Sequence, residues 1–139
     1  MPLQLVVVTP ERQIFDAPVD DVVLPGSEGD FGVLERHERL LAALRIGEAR
    51  IRRGSELHYA AVNGGFADVS QERVVVMAET FELAEDIDLA RAQAARASAE
   101  RSIEEIRESE VAEGRLRVYE LALQRAIIRI QVAGRRGRA

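Results

Sequence analysis

Arg73-Val74-Val75-Val76-Met77-Ala78-Glu79-Thr80-Phe81-Glu82-Leu83-Ala84-Glu85-Asp86-Ile87-Asp88-Leu89-Ala90-Arg91-Ala92 is the stretch where the chain changes its period. It opens on a β-branched apolar run, which reads as a buried strand. After residue 82 the spacing becomes helical: Ala92, Ala95, Ala99, Ile103 and Ile106 fall near one face. Asp86 or Asp88 can cap that helix, because a short carboxylate accepts the free N–H groups of a first turn. Leu116, Tyr119, Leu123, Ala126, Ile130 and Ala133 then repeat at spacings of three and four. A polar stretch around Glu108 to Gly114 turns the chain between the two stripes, so they predict an antiparallel helical hairpin.

Upstream, short apolar runs alternate with Gly, Pro, Asn and Asp. Leu3 to Val8, Val19 to Leu24, Phe31 to Leu34, Leu40 to Ile46, Ala49 to Arg52, Leu57 to Val62, Phe66 to Val69 and Arg73 to Ala78 read as strands. Asn63-Gly64-Gly65 between two of them reads as a tight turn. Many short strands at close spacing predict a sandwich or flattened barrel and not βαβ units. The expected class is α+β: an antiparallel β-sandwich over 1–82, then a two-helix hairpin over 83–139. The second helix carries a surplus of apolar residues in Val118, Leu121, Ala122, Ile128 and Val132. A two-helix hairpin buries only one face of each member, so the sandwich or a partner must cover these. The basic tail Arg135-Arg136-Gly137-Arg138 reads as a solvated C-terminus.

Composition narrows the function. Of 139 residues, 4% are aromatic and none is Cys, so the core is aliphatic and thiolate chemistry is excluded. All 19 basic residues are Arg, which removes Lys-dependent sites such as a P-loop. Net charge is −5 and sits in residues 1–81, with 13 acids against 8 Arg; residues 82–139 balance 11 against 11. An acidic sandwich disfavours nucleic acid as partner. The start of the chain lacks a basic n-region, and no run approaches the ~18 uncharged residues of a membrane span.

No catalytic constellation stands out. His37 and His58 lack converging ligands for a metal. Ser27, Ser55 and Ser70 lie outside any nucleophile-elbow pattern. The pairs Glu28/Asp30 and Asp20/Asp21 sit in turns, where exposure keeps carboxylates alike and unsuited to acid–base division of labour. Glu28 within Gly26-Ser27-Glu28-Gly29 would repel a phosphate.

Three stretches together resemble one family. Leu24-Pro25-Gly26-Ser27-Glu28-Gly29-Asp30-Phe31-Gly32-Val33-Leu34 is similar to a hairpin of the epsilon subunits of bacterial F-type ATP synthases. Asn63-Gly64-Gly65-Phe66-Ala67-Asp68-Val69 resembles that family's Gly-Gly-aromatic segment. Glu85 to Ala92 resembles the start of its first C-terminal helix. The resemblance spans nearly the whole chain.

It implies a non-catalytic rotor subunit. The sandwich would bind the gamma subunit and the c-ring, and the hairpin would either fold onto the sandwich or extend along gamma toward alpha and beta, inhibiting ATP hydrolysis. The complex would sit at the cytoplasmic face of the cell membrane, with this subunit peripheral and reaching the membrane only through the complex. Glu28, Asp30 and His37 would face the rotor. The usual Pro-Gly-His-x-Pro-Leu-Leu run reads here Glu35-Arg36-His37-Glu38-Arg39-Leu40-Leu41, without its prolines and glycine.

No cofactor is required, but the resemblance implies ATP as a regulatory ligand. Ile87-Asp88-Leu89-Ala90-Arg91-Ala92 matches the family's ATP motif, with Glu82, Arg125 and Arg129 as further contacts; Ser98 stands where another Arg is usual. Guanidinium forks hold phosphate oxygens, and a carboxylate accepts from ribose or adenine. In the competing reading Asp88 only caps the helix and the arginines pair across the hairpin. The alternative function is a stand-alone nucleotide-sensing adaptor with a sandwich and a helical arm; an enzyme ranks last.

Overall fold

A computed structural model describes residues 3–34, 38–109 and 113–136. His37 therefore lies outside the described residues. Among the described residues eight strands precede two helices: β1 Leu3–Val8, β2 Gln13–Val19, β3 Asp21–Gly26, β4 Gly29–Leu34, β5 Leu40–Arg53, β6 Glu56–Val69, β7 Arg73–Met77, β8 Thr80–Leu83, then a 3-10 turn Ala84–Asp86, α1 Leu89–Ser109 and α2 Glu113–Ala133. The α+β reading holds. The strand order is β2-β1-β7-β6-β5-β3-β4, with β8 also paired to β6. Every ladder is antiparallel except β1 with β7, which run parallel. Alternating aliphatic residues, among them Leu3, Leu5 and Val7 of β1 and Val74 and Val76 of β7, point into one core with Val22, Leu24, Val33, Ile51, Val62, Val69 and Phe81.

The two 14-residue strands β5 and β6 are what the sequence spacing did not predict. Leu40–Ile46 and Ala49–Arg52 belong to one strand, and Asn63-Gly64-Gly65 is not a turn. The β5–β6 ladder runs through it without a break, pairing Leu44 with Gly65 and Ile46 with Asn63. The glycines change the facing of the strand instead of its direction. Ala60 and Val62 face the core before them, and Ala67 and Val69 after them, so the inward parity switches from even to odd. A period-2 strand can do this only through an irregular backbone, and Gly64 and Gly65 supply it with φ of +64° and +112°. On β5 the same switch separates Leu44 from Ala49 and Ile51. Across this crease β6 changes partner, from β7 at residues 66–69 to β8 at residues 60–63. Val19 to Leu24 also splits, into β2 and β3, at Asp20, whose Oδ2 accepts the Gly54 N–H at 2.6 Å. β2 escaped the sequence reading because it lacks alternation; it is an edge strand and tolerates Pro18.

Asp88, not Asp86, caps α1: its Oδ1 accepts the Arg91 N–H at 3.1 Å. On α1 Ala92, Ala99 and Ile103 are buried and Ala95 is exposed; on α2 Ala126, Val132 and Ala133 are buried. The hairpin lies folded on the sandwich, with α2 packed on β5 and β6. Val132 and Ala133 of α2 pack on a seat of Ala61, Ala84 and Ile87, flanked by Tyr59 and Ile128. The sandwich thus covers Val132 and part of Ile128 from the apolar surplus, and Val118 stays 61% exposed.

The tail expectation needs correcting at two residues. Arg135 donates through Nε and an Nη to the two Glu48 oxygens at 3.0 and 3.2 Å. Its guanidinium also lies over the Tyr59 ring, 5.3 Å from the centroid. The Glu48 hydrogen bonds and charge hold the Arg135 pKa above its ordinary value. Arg136 Nε donates to the Ala84 carbonyl at 2.7 Å. Gly137 and Arg138 lie outside the described residues. The physical reason is placement: the last turn of α2 ends over the outer face of β5, where Glu48 is only 18% exposed and needs a counter-charge.

Two predictions follow from this geometry. A Cβ on Gly65 would meet the Met77 carbonyl oxygen at 2.1 Å, whereas one on Gly114 meets nothing within 4 Å. Thermal unfolding should therefore show Gly65→Ala destabilised by ~3 kcal/mol and Gly114→Ala stabilised by ~0.5 kcal/mol. Arg135→Ala should weaken docking by ~1 kcal/mol, a figure discounted for the partial exposure of the pair. Hydrogen exchange should then speed up in the last turns of α2 while β1 and β7 keep their protection.

Candidate functional site

Most of the residues singled out for a nucleotide do converge. A cleft of about 410 Å³ opens between the β1–β2 turn, the β7–β8 link and the start of α1. Glu82, Ile87, Asp88, Arg91, Ala92 and Arg129 all line it. Each arrives by a different local route. β8 brings Glu82 and the 3-10 turn brings Ile87. Asp88 is the cap itself, the first turn of α1 carries Arg91 and Ala92, and α2 presents Arg129 from the opposite helix. Arg125, one turn earlier on α2, lines a small adjoining recess with Glu82 and Arg129 and not the main cleft.

The side chains divide into structural and available groups. Ile87 and Ala92 are buried and form the floor. Arg129 Nε donates to Glu82 Oε1 at 2.5 Å, so this arginine pairs with β8 and not across the hairpin. One oxygen of Asp88 is taken by the α1 cap. The Arg91 guanidinium makes no ion pair among the described residues. The cleft falls in the volume range of small-molecule sites, ~300–1,000 Å³. Five carboxylates line it against three arginines, Arg12, Arg91 and Arg129. A bound anion must therefore engage the guanidinium groups directly, since the mean charge of the walls does not attract it. Sequence reading missed Thr9, Arg12 and Thr80 as lining residues, because nothing in their local sequence connects the β1–β2 turn to a helix far along the chain.

The second set of candidate residues lies at the β3–β4 turn. Gly26 pairs with Gly29 across it, and Glu28 is exposed at its tip. The Asp30 carboxylate forms an ion pair with Arg45 of β5. A further exposed apolar strip lies on β5, β6 and β7, where Leu41 is 68% and Phe66 53% exposed. His58 is half-buried beside Glu56, 3.2 Å away, and no group of three or more metal-binding side chains occurs among the described residues.

Comparison with known proteins matches both parts of the chain. Residues 2–84 match the family described as ATP synthase, Delta/Epsilon chain, beta-sandwich domain, and residues 85–134 match ATP synthase, Delta/Epsilon chain, long alpha-helix domain. The ATP synthase epsilon chain 2 of Syntrophotalea carbinolica is 47% identical over 136 residues, covering 98% of this chain and 96% of that one. Among solved structures, a chain of the Euglena gracilis mitochondrial ATP synthase (OSCP/F1/c-ring, rotational state 1) shares the fold with a TM-score of 0.78 at 22% identity. It covers 95% of this chain and 81% of its own. A chain of the Tetrahymena thermophila mitochondrial ATP synthase central stalk and c-ring gives a TM-score of 0.52 at 12% identity, covering 63% and 70%. With residues 2–134 covered by these two domain descriptions and a relative 47% identical over 98% of its length, the chain belongs to the ATP synthase delta/epsilon family.

Proposed function

We propose that the chain is a non-catalytic central-stalk subunit of an F-type ATP synthase whose hairpin acts as a reversible brake on ATP hydrolysis. The sandwich binds gamma and the c-ring, with the exposed tip at Glu28 and the Asp30–Arg45 pair among its contacts. His37 is carried as a rotor contact by family resemblance alone. The subunit is peripheral at the cytoplasmic face of the membrane, held there by the complex; no described helix is long and apolar enough to cross a bilayer.

The observation that carries the brake is the character of the docking interface. An apolar contact of five small or medium residues, two of them on α2, rimmed by Arg129–Glu82, Arg135–Glu48 and Arg136 on a carbonyl, is small and largely polar at its edge. Ion pairs at a partly exposed rim contribute little each, so undocking is affordable. The exposed Val118 and Ile127 give α2 apolar surface to present elsewhere. In the extended form α2 would lie along gamma and reach alpha and beta.

ATP in the cleft would favour the docked form, with Arg91 and Arg129 on phosphate and Glu82 sharing Arg129. Magnitudes limit this effect. A ligand at 100 times its Kd shifts an equilibrium by about 2.7 kcal/mol, and turning 1:99 into 99:1 needs about 5.5 kcal/mol. ATP therefore switches the hairpin only if the docked and extended forms are close in energy.

In a reconstituted ATPase, Glu48→Gln should deepen inhibition of hydrolysis several-fold, because weaker docking frees the hairpin; unchanged hydrolysis would sink the brake. By calorimetry and hydrogen exchange on the isolated chain, ATP should bind and protect α1 and α2, and Arg91→Ala should abolish both effects. Absence of ATP binding to the wild type would remove the sensor and leave the family assignment standing.

A further inference from the structure

We infer that Arg12, in the turn between β1 and β2, is a polyphosphate-binding residue that works with Arg91 to staple α1 to the sandwich through the terminal phosphates of a nucleoside triphosphate. This deepens, and rests on, the nucleotide reading of the cleft.

The first observation is how Arg12 is held. The Thr9 N–H donates to the Arg12 carbonyl at 2.9 Å, and the Thr9 hydroxyl donates to the same oxygen at 3.2 Å. The Arg12 N–H donates back to Thr9 Oγ1 at 3.4 Å. The turn is tied in place by the Ala78 N–H, which donates to the Val8 carbonyl at 3.0 Å. All of these bonds use the Arg12 backbone or its neighbours. The guanidinium takes no part in closing the turn, and it makes no ion pair among the described residues. It lines the same cleft as Arg91. A fixed base with an uncommitted cationic fork is how a structure presents arginine to an anion.

The second observation is which walls the two arginines stand on. Arg12 belongs to the sandwich and Arg91 to α1. The substantial packing of the hairpin on strands is made by α2. An anion meeting both guanidinium groups would therefore add a tie between α1 and the sandwich. Such an anion must carry charge spread along its length, since its two partners approach from different walls. A triphosphate has that form and a monophosphate does not. Two of the five acids are already engaged: Glu82 with Arg129, and one oxygen of Asp88 with the α1 cap. Glu11, Glu79 and Asp86 remain exposed on the walls and disfavour an anion that does not reach both arginines. The site would thus select for phosphate number, and Arg12 is the residue that counts it.

The test is calorimetry on the full chain with ATP, AMP and inorganic tripolyphosphate, using wild type, Arg12→Ala, Arg12→Lys and Arg91→Ala. The expected result is a loss of at least tenfold in ATP affinity for Arg12→Ala, partial recovery in Arg12→Lys, and AMP affinity unmoved by either. ATP should also slow hydrogen exchange in the β1–β2 turn of the wild type and not of Arg12→Ala. Arg12 is exposed and its turn closes without the side chain, so the melting temperature without ligand should not change. Should it fall, Arg12→Lys against wild type carries the comparison. Wild-type ATP affinity in Arg12→Ala, with binding lost in Arg91→Ala, would overturn the Arg12 role and leave the nucleotide reading intact. No ATP binding by the wild type would overturn both. Tripolyphosphate binding as tightly as ATP would overturn the nucleotide as the ligand.

Discussion

The crease at Gly64 and Gly65 is the constraint on which the rest of the molecule turns. One long β5–β6 ribbon serves both parts of the sandwich, and it can do so only because its inward face changes side at those residues. A side chain at Gly65 would strike the backbone at Met77 and Ala78, so the crease is also where the ribbon meets the end of β7. Beyond it the outer face of the ribbon carries Glu48, Tyr59 and Ala61, with Glu48 and Ala61 directly paired across the strands. That outer face is the seat for α2. The bend in the sheet and the parking place of the hairpin are one piece of geometry.

Docking itself is a matter of small numbers. The seat is built from Ala61, Ala84 and Ile87, meeting Val132 and Ala133 of α2, and short side chains let the helix approach closely while burying little area each. The arginines at the rim add direction more than strength. Their partners sit on three separate pieces of the sandwich and its extension: Glu82 on β8, Ala84 in the 3-10 turn and Glu48 on β5. Three directional contacts within about two turns' worth of chain, at Arg129, Arg135 and Arg136, fix the rotation of the helix, which small apolar contacts alone would leave loosely specified.

The architecture was largely legible in the sequence. The switch from period 2 to helical period after residue 82 marks where strands give way to helices, and the surplus apolar face of α2 announced that the hairpin is covered by something. What escaped was whatever depends on a partner strand. Asn63-Gly64-Gly65 has turn composition, and only the unbroken ladder with β5 shows that its glycines serve a crease. β2 lacks alternation because an edge strand with one solvated side need not keep it. The candidate site was legible along α1, since its motif is local, and through Glu82 and Arg129. Arg12 was not, because its place in the cleft comes from the closure of the sheet. The last arginines looked like a solvated tail because nothing in a run of charges tells where the helix before it ends.

The absence of lysine has a consequence for the fastening of α2 to β5. Its cation is a guanidinium whose proton is held more firmly still by Glu48. Such a clasp ignores the acidity of its surroundings on the cationic side, and it offers no amine for acylation. What loosens it is ionic strength or a rival anion. A member of the ATP synthase delta/epsilon family is thereby fitted with a catch that is blind to alkaline swings and sensitive to dissolved salts.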